Sequence, residues 1–533
     1  MQPKYDRLPM WAPATAIVLF TAAACAPLVF GGAVVGHDLY VHLSRVEGFN
    51  RALHEGCWYP RWLPDVNAGH GGPTFLFYFP AFYYVTAIVH ALRPHVYQAT
   101  LIAVTLWWAG GLSAMYAFLV RHLGARAALV GTFAYAVLPY RAIQLYQRSA
   151  LTEMAGLVWI PLLFHSVDAL ALGAGSGMGF TLALAGLLYT HHGIALMVFA
   201  PIIGYAALEI PAGRRQRGAA AALVGIGLAA PSWLPEVLER KYTLMGAPDL
   251  KLFRFEYWMS FLFDSRFNLL PDFNAMLEHA ALLYAVGAVL ALAWLATTRG
   301  LPQRAWWGFF VVVAVASLWL QHPSSNFVWQ AIPPLQLLDL PWRLQTLNTF
   351  AGAVLIGGMA AKQSIWRLAA GALLLASVGL SLTESIAHRR IEPEIASWRH
   401  PPRAFGDHVY YQPRWIPVQG FTDAGDAVAD GAEVQLVSLN CSRQLYRVRA
   451  RQDTDLHVPT FYFPGWTATI DAAPATLALR PSDGEISVPV TTGEHLVTLE
   501  FRNTWPRTLA ALTMIVAGAV LAWLRHSRSH PGA

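Results

Sequence analysis

Charge is what this sequence has least of: Asp, Glu, Lys and Arg together make up 13% of its 533 residues, against about 25% in an ordinary soluble domain. Cysteine is nearly absent. Cys25, Cys57 and Cys441 are widely scattered, which gives no metal-ligand spacing and no disulfide framework. No GxGxxG, Walker A, HExxH or GxSxG arrangement occurs, so the polar residues do not belong to a familiar soluble enzyme site. The net charge of +6 is spread over short turns. No basic face is broad enough to hold a nucleic-acid backbone, and that class of partner is excluded.

Apolar residues dominate instead. They are 56% of the chain, and the mean hydropathy is +0.41. One water-soluble core cannot use that much apolar surface, so the expectation is a polytopic α-helical membrane protein. An uninterrupted apolar run covers 11–35. It is longer than a signal-peptide core and no small-residue cleavage site follows it, so it reads as a retained anchor. Further runs at 99–120, 126–140, 152–171, 178–192, 194–210, 217–234, 277–296, 305–320, 347–361, 364–382 and 507–524 bring the total to about twelve crossings. The stretch at 75–92 is divided by Pro80 and followed by Arg93 and Pro94. It reads as re-entrant or lying along the membrane, with a thirteenth span as the alternative.

Basic turns orient these spans. They are Lys4 and Arg7; Arg121 and Arg126; Arg214, Arg215 and Arg217; Arg299 and Arg304; Lys362; and Arg525, His526 and Arg528. With all of them cytoplasmic, segments 36–75, 141–151, 191–193, 235–276, 321–346 and 383–506 lie on the opposite side. Three regions follow: a transmembrane body over 1–382, an extracytoplasmic β-rich domain over 383–506, and a last helix with a basic cytoplasmic tail over 507–533. In the middle region, short β-rich stretches at 434–439, 444–450, 456–463, 467–470, 476–480, 486–490 and 495–501 alternate with turns such as Pro464-Gly465 and Ser482-Asp483-Gly484. That pattern predicts a β-sandwich.

The first polar interruption, 36–75, packs acids, histidines, arginines and tryptophans into a segment that a mere connector would not need. It opens on Gly36-His37-Asp38. A helix from about Leu39 to Leu53 would bring Leu39, Leu43, Val46, Phe49, Asn50 and Leu53 to one face, so that it lies in the interface with Asp38 at headgroup level. A carboxylate there suits general-base work or a divalent cation such as Mg or Mn, whereas a purely structural Asp38 would cap the helix. Glu153 begins a later span on the same side and is the natural partner of Asp38, although an acid in a first helical turn is also favourable structurally. His191 and His192 end a span at that surface, and two adjacent histidines on one helix cannot both face inward. His37, His42 and Asn326 are further candidates for contact with substrate. Arg343, Arg148, Arg141 and Arg61 fall outside by the same count, where a lipid phosphate would need bidentate donors.

The residues His37-Asp38, Pro60-Arg61-Trp62, Gly69-His70-Gly71, Phe77-Tyr78-Phe79-Pro80, Pro341-Trp342-Arg343 and Phe463-Pro464-Gly465-Trp466 resemble a group of bacterial membrane proteins. These are described as YfhO-like or as related to 6-pyruvoyl-tetrahydropterin synthase. The plan is similar to that of the GT-C glycosyltransferases. The resemblance implies an inner-membrane enzyme that takes a sugar from a polyprenyl-phosphate donor outside the cytoplasm and passes it to a glycan, lipid or secreted-protein acceptor. Asp38 then stands where such enzymes carry their first-loop acid, and Glu153 where a second acid is common. Paired first-loop acids are missing, so metal dependence does not follow, and nothing supports pterin chemistry. A lipid-linked sugar flippase and a non-catalytic envelope-assembly protein that binds glycan through the β-domain are the competing readings.

Overall fold

Helices form wherever the sequence carries an apolar run, and strands fill the region where polar and apolar residues alternate. The computed structural model describes residues 8–9, 11–30, 32–174, 177–246, 261–264, 270–361, 365–397, 409–416 and 422–529. Lys4, Arg7 and Lys362 of the basic turns lie outside the described residues, as do parts of the predicted segments 235–276 and 383–506.

The helical body comprises α1 (Trp11–Phe30), α2 (Leu39–His54), α3 (Ala81–Leu92), α4 (Val96–Leu123), α5 (Ala125–Val137), α6 (Leu151–Gly156), α7 (Trp159–Ala171), α8 (Met178–Thr190), α9 (His192–Glu209), α10 (Ala212–Leu228), α11 (Ala230–Glu239), α12 (Pro271–Thr297), α13 (Arg304–Trp319), α14 (Gln345–Ala360) and α15 (Ile365–Leu380), with α16 (Trp505–Ser529) closing the chain. Among the described residues, seven helical stretches are long and apolar enough to cross a bilayer. Two bent pairs pass the same test of length and composition, one of them α10 with α11 at 69°. Helix α3 fills the ambiguous stretch. Its 12 residues rise about 18 Å, short of the roughly 30 Å hydrocarbon core.

The β-rich region is a sandwich of two antiparallel sheets. One is ordered β1 (Ala432–Leu439), β2 (Arg443–Ala450), β8 (Gly493–Phe501), β4 (Trp466–Ile470), β5 (Ala473–Ala475). The other is ordered β3 (Thr454–Phe461), β7 (Glu485–Val490), β6 (Ala478–Leu479). Alternation decides which side chains face in: along β2, Gln444, Tyr446, Val448 and Ala450 are buried while Arg443, Arg447 and Arg449 are exposed.

This core is not self-contained. Trp62, Leu76 and Phe77 of the first loop are buried in it. The Trp62 ring lies 5.3 Å from Trp466 and 5.2 Å from Phe501. Gly71 makes the fit possible. It has φ 75, and a Cβ there would stand 2.6 Å from Trp62 Nε1. A disulfide joins Cys57 to Cys441 in the β1–β2 turn, which corrects the reading of scattered, unpaired cysteines. Their separation of 384 residues hides the pairing, because only the docking of loop on sandwich brings them together.

Two buried polar networks fasten the helices. Arg507 of α16 donates to Glu239 of α11 at 2.9 Å and to the Pro464 carbonyl at 2.7 Å. At the end of the bundle away from the sandwich, Asp168 bonds His122 Nε2 at 2.8 Å and accepts from Tyr205 at 2.6 Å. The Tyr205 hydroxyl in turn accepts from Trp306 at 2.8 Å.

Candidate functional site

A cavity of about 1010 Å³ opens where the first loop, the bundle and the segment before the sandwich meet, and Asp38 lines it. The placement of Asp38 starts with the backbone. Gly36 N donates to Ser149 Oγ at 2.9 Å, His37 N to the Gln147 carbonyl at 3.1 Å, and Asp38 N to the Arg148 carbonyl at 2.9 Å. Only glycine permits this approach, since a Cβ on residue 36 would stand 2.4 Å from Ser149 N. Asp38 occupies the position preceding α2, yet its side chain makes no capping hydrogen bond. Among the described residues its carboxylate has no hydrogen-bond or ion-pair partner. The capping hydrogen bond considered for Asp38 is therefore not made.

Helix α2 carries more of the site than its apolar stripe suggests. His42 and Arg45 follow Asp38 at helical spacing and line the same cavity. His42 Nδ1 lies 2.8 Å from the Tyr83 hydroxyl, and the Arg45 guanidinium lies 3.9 Å over the Tyr78 ring and 5.6 Å from that of Tyr411. The helix is buried on this side as well as along Leu39, Leu43, Val46 and Phe49. It is thus enclosed rather than lying open in an interface.

Glu153 also lines the cavity, but it is fully engaged. Its Oε1 accepts from Tyr140 at 2.7 Å and from Gln144 at 3.0 Å, and its Oε2 accepts from Arg148 at 2.7 Å. Arg148 lies 4.8 Å over the ring of Trp342. The next residue, Arg343, enters the cavity and donates Nη1 to the Leu338 carbonyl at 3.1 Å. Pro341-Trp342-Arg343 therefore does two things: Trp342 packs the buried cation, and Arg343 presents a second one.

Both histidines of the pair reach the cavity, against the expectation that at most one would. His191 is not helical. Its extended backbone (φ −168) separates α8 from α9, and its Nδ1 caps α9 by accepting from Ile194 N at 3.1 Å. His192 Nδ1 lies 2.6 Å from Glu236 Oε2.

The other predicted residues lie elsewhere. Arg141 is buried inside the bundle, 3.9 Å over the ring of Trp108 and 4.8 Å from that of Tyr135. Arg61 bonds Asn503 at the junction with α16. His37 is exposed, with its ring edge-on to Phe273 at 4.9 Å. Asn326 starts a short helix away from the cavity lining. Conversely, Glu236, Arg240, Asp339, Tyr410 and Tyr411 line the mouth and were missed. Glu236 and Arg240 share a helical face with Trp233, a spacing visible in the sequence. Tyr410 and Tyr411 gave no such signal.

Among the described residues, no group of three or more His, Cys, Asp or Glu side chains is placed to hold a metal ion. Of the two acids considered for Mg or Mn, Glu153 is already charge-paired with Arg148.

Beyond the polar mouth the cavity becomes an apolar channel between α7, α8, α9 and α10. Leu163, Phe180, Leu187, Phe199, Ile203 and Ala222 are among its walls, and it reaches Ile210 and Arg215. Helix α9, one wall of it, has 18 residues and is about 27 Å long, close to a hydrocarbon thickness.

No family model and no curated protein matches the chain. Solved structures do. The apo oligosaccharyltransferase of Archaeoglobus fulgidus is 11% identical with a TM-score of 0.45, over 74% of this chain and 57% of that one. The arabinofuranosyltransferase AftD from Mycobacteria is 16% identical with a TM-score of 0.46, over 94% of this chain and 40% of that one. The chain thus spans about half the length of either.

Proposed function

We propose that this protein is a membrane glycosyltransferase of GT-C type. It would move a sugar from a polyprenyl-phosphate donor to a cell-envelope acceptor on the extracytoplasmic side of a bacterial inner membrane. The observation that carries this is one cavity with a carboxylate unpaired among the described residues, arginines beside it, and an apolar channel as long as a membrane span behind them. The channel suits an isoprenoid chain. The mouth suits its phosphate and sugar. The Cys57–Cys441 disulfide, at the same end as the mouth, suits an oxidising compartment.

In this reading Arg343 holds the donor phosphate and stabilises the charge that grows on it as the glycosidic bond breaks. Arg45 and Arg240 line the same cavity. Asp38 accepts the proton of the acceptor hydroxyl as its oxygen attacks the anomeric carbon, so the configuration inverts. Glu153 is a positioning residue: it neutralises Arg148, whose carbonyl holds Asp38 in place. No step is assigned to a metal ion.

The test is transfer from a radiolabelled polyprenyl-phosphate sugar by the protein in nanodiscs. Asp38→Asn is expected to cut turnover by roughly 10² to 10⁴-fold with donor binding retained. Undiminished transfer by that variant would sink the assignment. The second reading, lipid translocation, is favoured by the reach of the channel to Arg215. It predicts movement of labelled lipid between leaflets without sugar transfer, and Asp38→Asn would leave that movement intact.

A further inference from the structure

Asp339 is held where an ordinary aspartate is not. Its backbone has φ 59 and ψ −45, a conformation that costs an L residue free energy and persists only when its surroundings enforce it. The enforcement is visible: Leu340 N donates across it to the Leu338 carbonyl at 2.7 Å, and Pro341 follows immediately. A glycine there would remove the strain. Yet a carboxylate is what the turn presents to the cavity. Among the described residues it has no hydrogen-bond or ion-pair partner. Arg343, Arg240 and Tyr410 are its electrostatic neighbours, and burial pushes its pKa up.

Resting on the glycosyltransferase reading, we infer that Asp339 is the sugar-contacting residue of the donor site, accepting hydroxyl hydrogen bonds from the glycosyl unit. The chemistry follows from position. A phosphate on Arg343 leaves its sugar one bond away, and Asp339 stands four residues earlier on the same wall. A half-buried carboxylate makes strong O–H···O bonds to hydroxyls. Tyr410 and Tyr411 line the same cavity. Asp38, contributed by the first loop, is then left for the acceptor. The strain at residue 339 aims this group, as in other sites where backbone cost is stored beside chemistry.

The test compares equilibrium binding of undecaprenyl phosphate with binding of the same lipid carrying glucose, mannose or arabinofuranose. The wild type, Asp339→Asn and Asp339→Gly are measured in nanodiscs. Both variants are expected to bind bare undecaprenyl phosphate within about twofold of wild type and to lose about tenfold or more for the preferred sugar-bearing lipid. Asp339→Gly is expected to melt at or above the wild-type temperature, since it relieves the turn. Unchanged binding of every sugar-bearing lipid would overturn the inference. So would a parallel loss of bare and sugar-bearing lipid with a lower melting temperature, because Asp339 would then be structural. If the wild type binds none of these lipids, the glycosyltransferase reading itself fails, and this inference with it.

Discussion

Glu153 and Asp38 carry the same functional group in opposite surroundings, and the difference decides what each does. Glu153 is buried and meets three donors, so it is a fixed counter-charge for Arg148. Glu153→Gln leaves the Arg148 cation buried without its partner, a change that typically costs about 3–5 kcal/mol. A marked drop in melting temperature is therefore expected for Glu153→Gln and none for Asp38→Asn. Equal melting of both variants by differential scanning fluorimetry would contradict the division of roles. Arginines divide in the same way. Arg141 and Arg343 look alike in the sequence, beside tyrosine and tryptophan respectively. However, Arg141 is enclosed by Trp108 and Tyr135, whereas Arg343 opens onto the cavity. Sequence neighbours do not reveal which aromatic rings a guanidinium will meet across the bundle.

At the level of elements, the first loop belongs to two cores at once, and its contact with the sandwich is tunable. His70 stacks on Phe461 at 4.5 Å, with Nδ1 3.0 Å from Glu485 and Nε2 3.0 Å from the Thr422 carbonyl. Burial disfavours its charge, but Glu485, the Thr422 carbonyl and the more distant Asp483 outweigh burial and raise its pKa above the ordinary 6.5. Arg480, 3.9 Å from the other Glu485 oxygen, faces the same group. A raised histidine contributes stability that is fully present below about 6.5 and lost as pH rises through the raised value. Hydrogen exchange along 60–77 is therefore expected to quicken as pH climbs from about 6 to about 9, beyond the intrinsic base-catalysed rate. His70→Phe should flatten this dependence. A loop whose corrected exchange ignores pH in the wild type would rule the latch out.

For the whole molecule, the periodic parts of the structure were legible and the convergent parts were not. Apolar runs gave a helix at each predicted place, and alternation gave the strands of the sandwich to within a few residues, because burial on one face imprints itself locally. The Gly36-His37-Asp38 opening follows the apolar run 11–35 in the sequence, whereas the first helix already ends at Phe30. What escaped depends on contacts between distant segments. Cys57 meets Cys441 only through docking. His191 leaves the helix that its neighbours predict. Asp339 and Tyr410 come together only when two segments distant in sequence line one cavity. Arg45 is an intermediate case: its helical spacing from Asp38 is readable, but the apolar stripe on α2 is the stronger periodic signal and marks the other face. In the proposed function a lipid-linked phosphate sits at this mouth with its chain in the channel. A density map of the protein in nanodiscs with undecaprenyl phosphate tests it most directly. The phosphate is expected within about 4 Å of Arg343, with the chain running along α9 past Phe199 toward Ile210. Lipid density that leaves this cavity empty, or a phosphate seated away from Arg343, would contradict it.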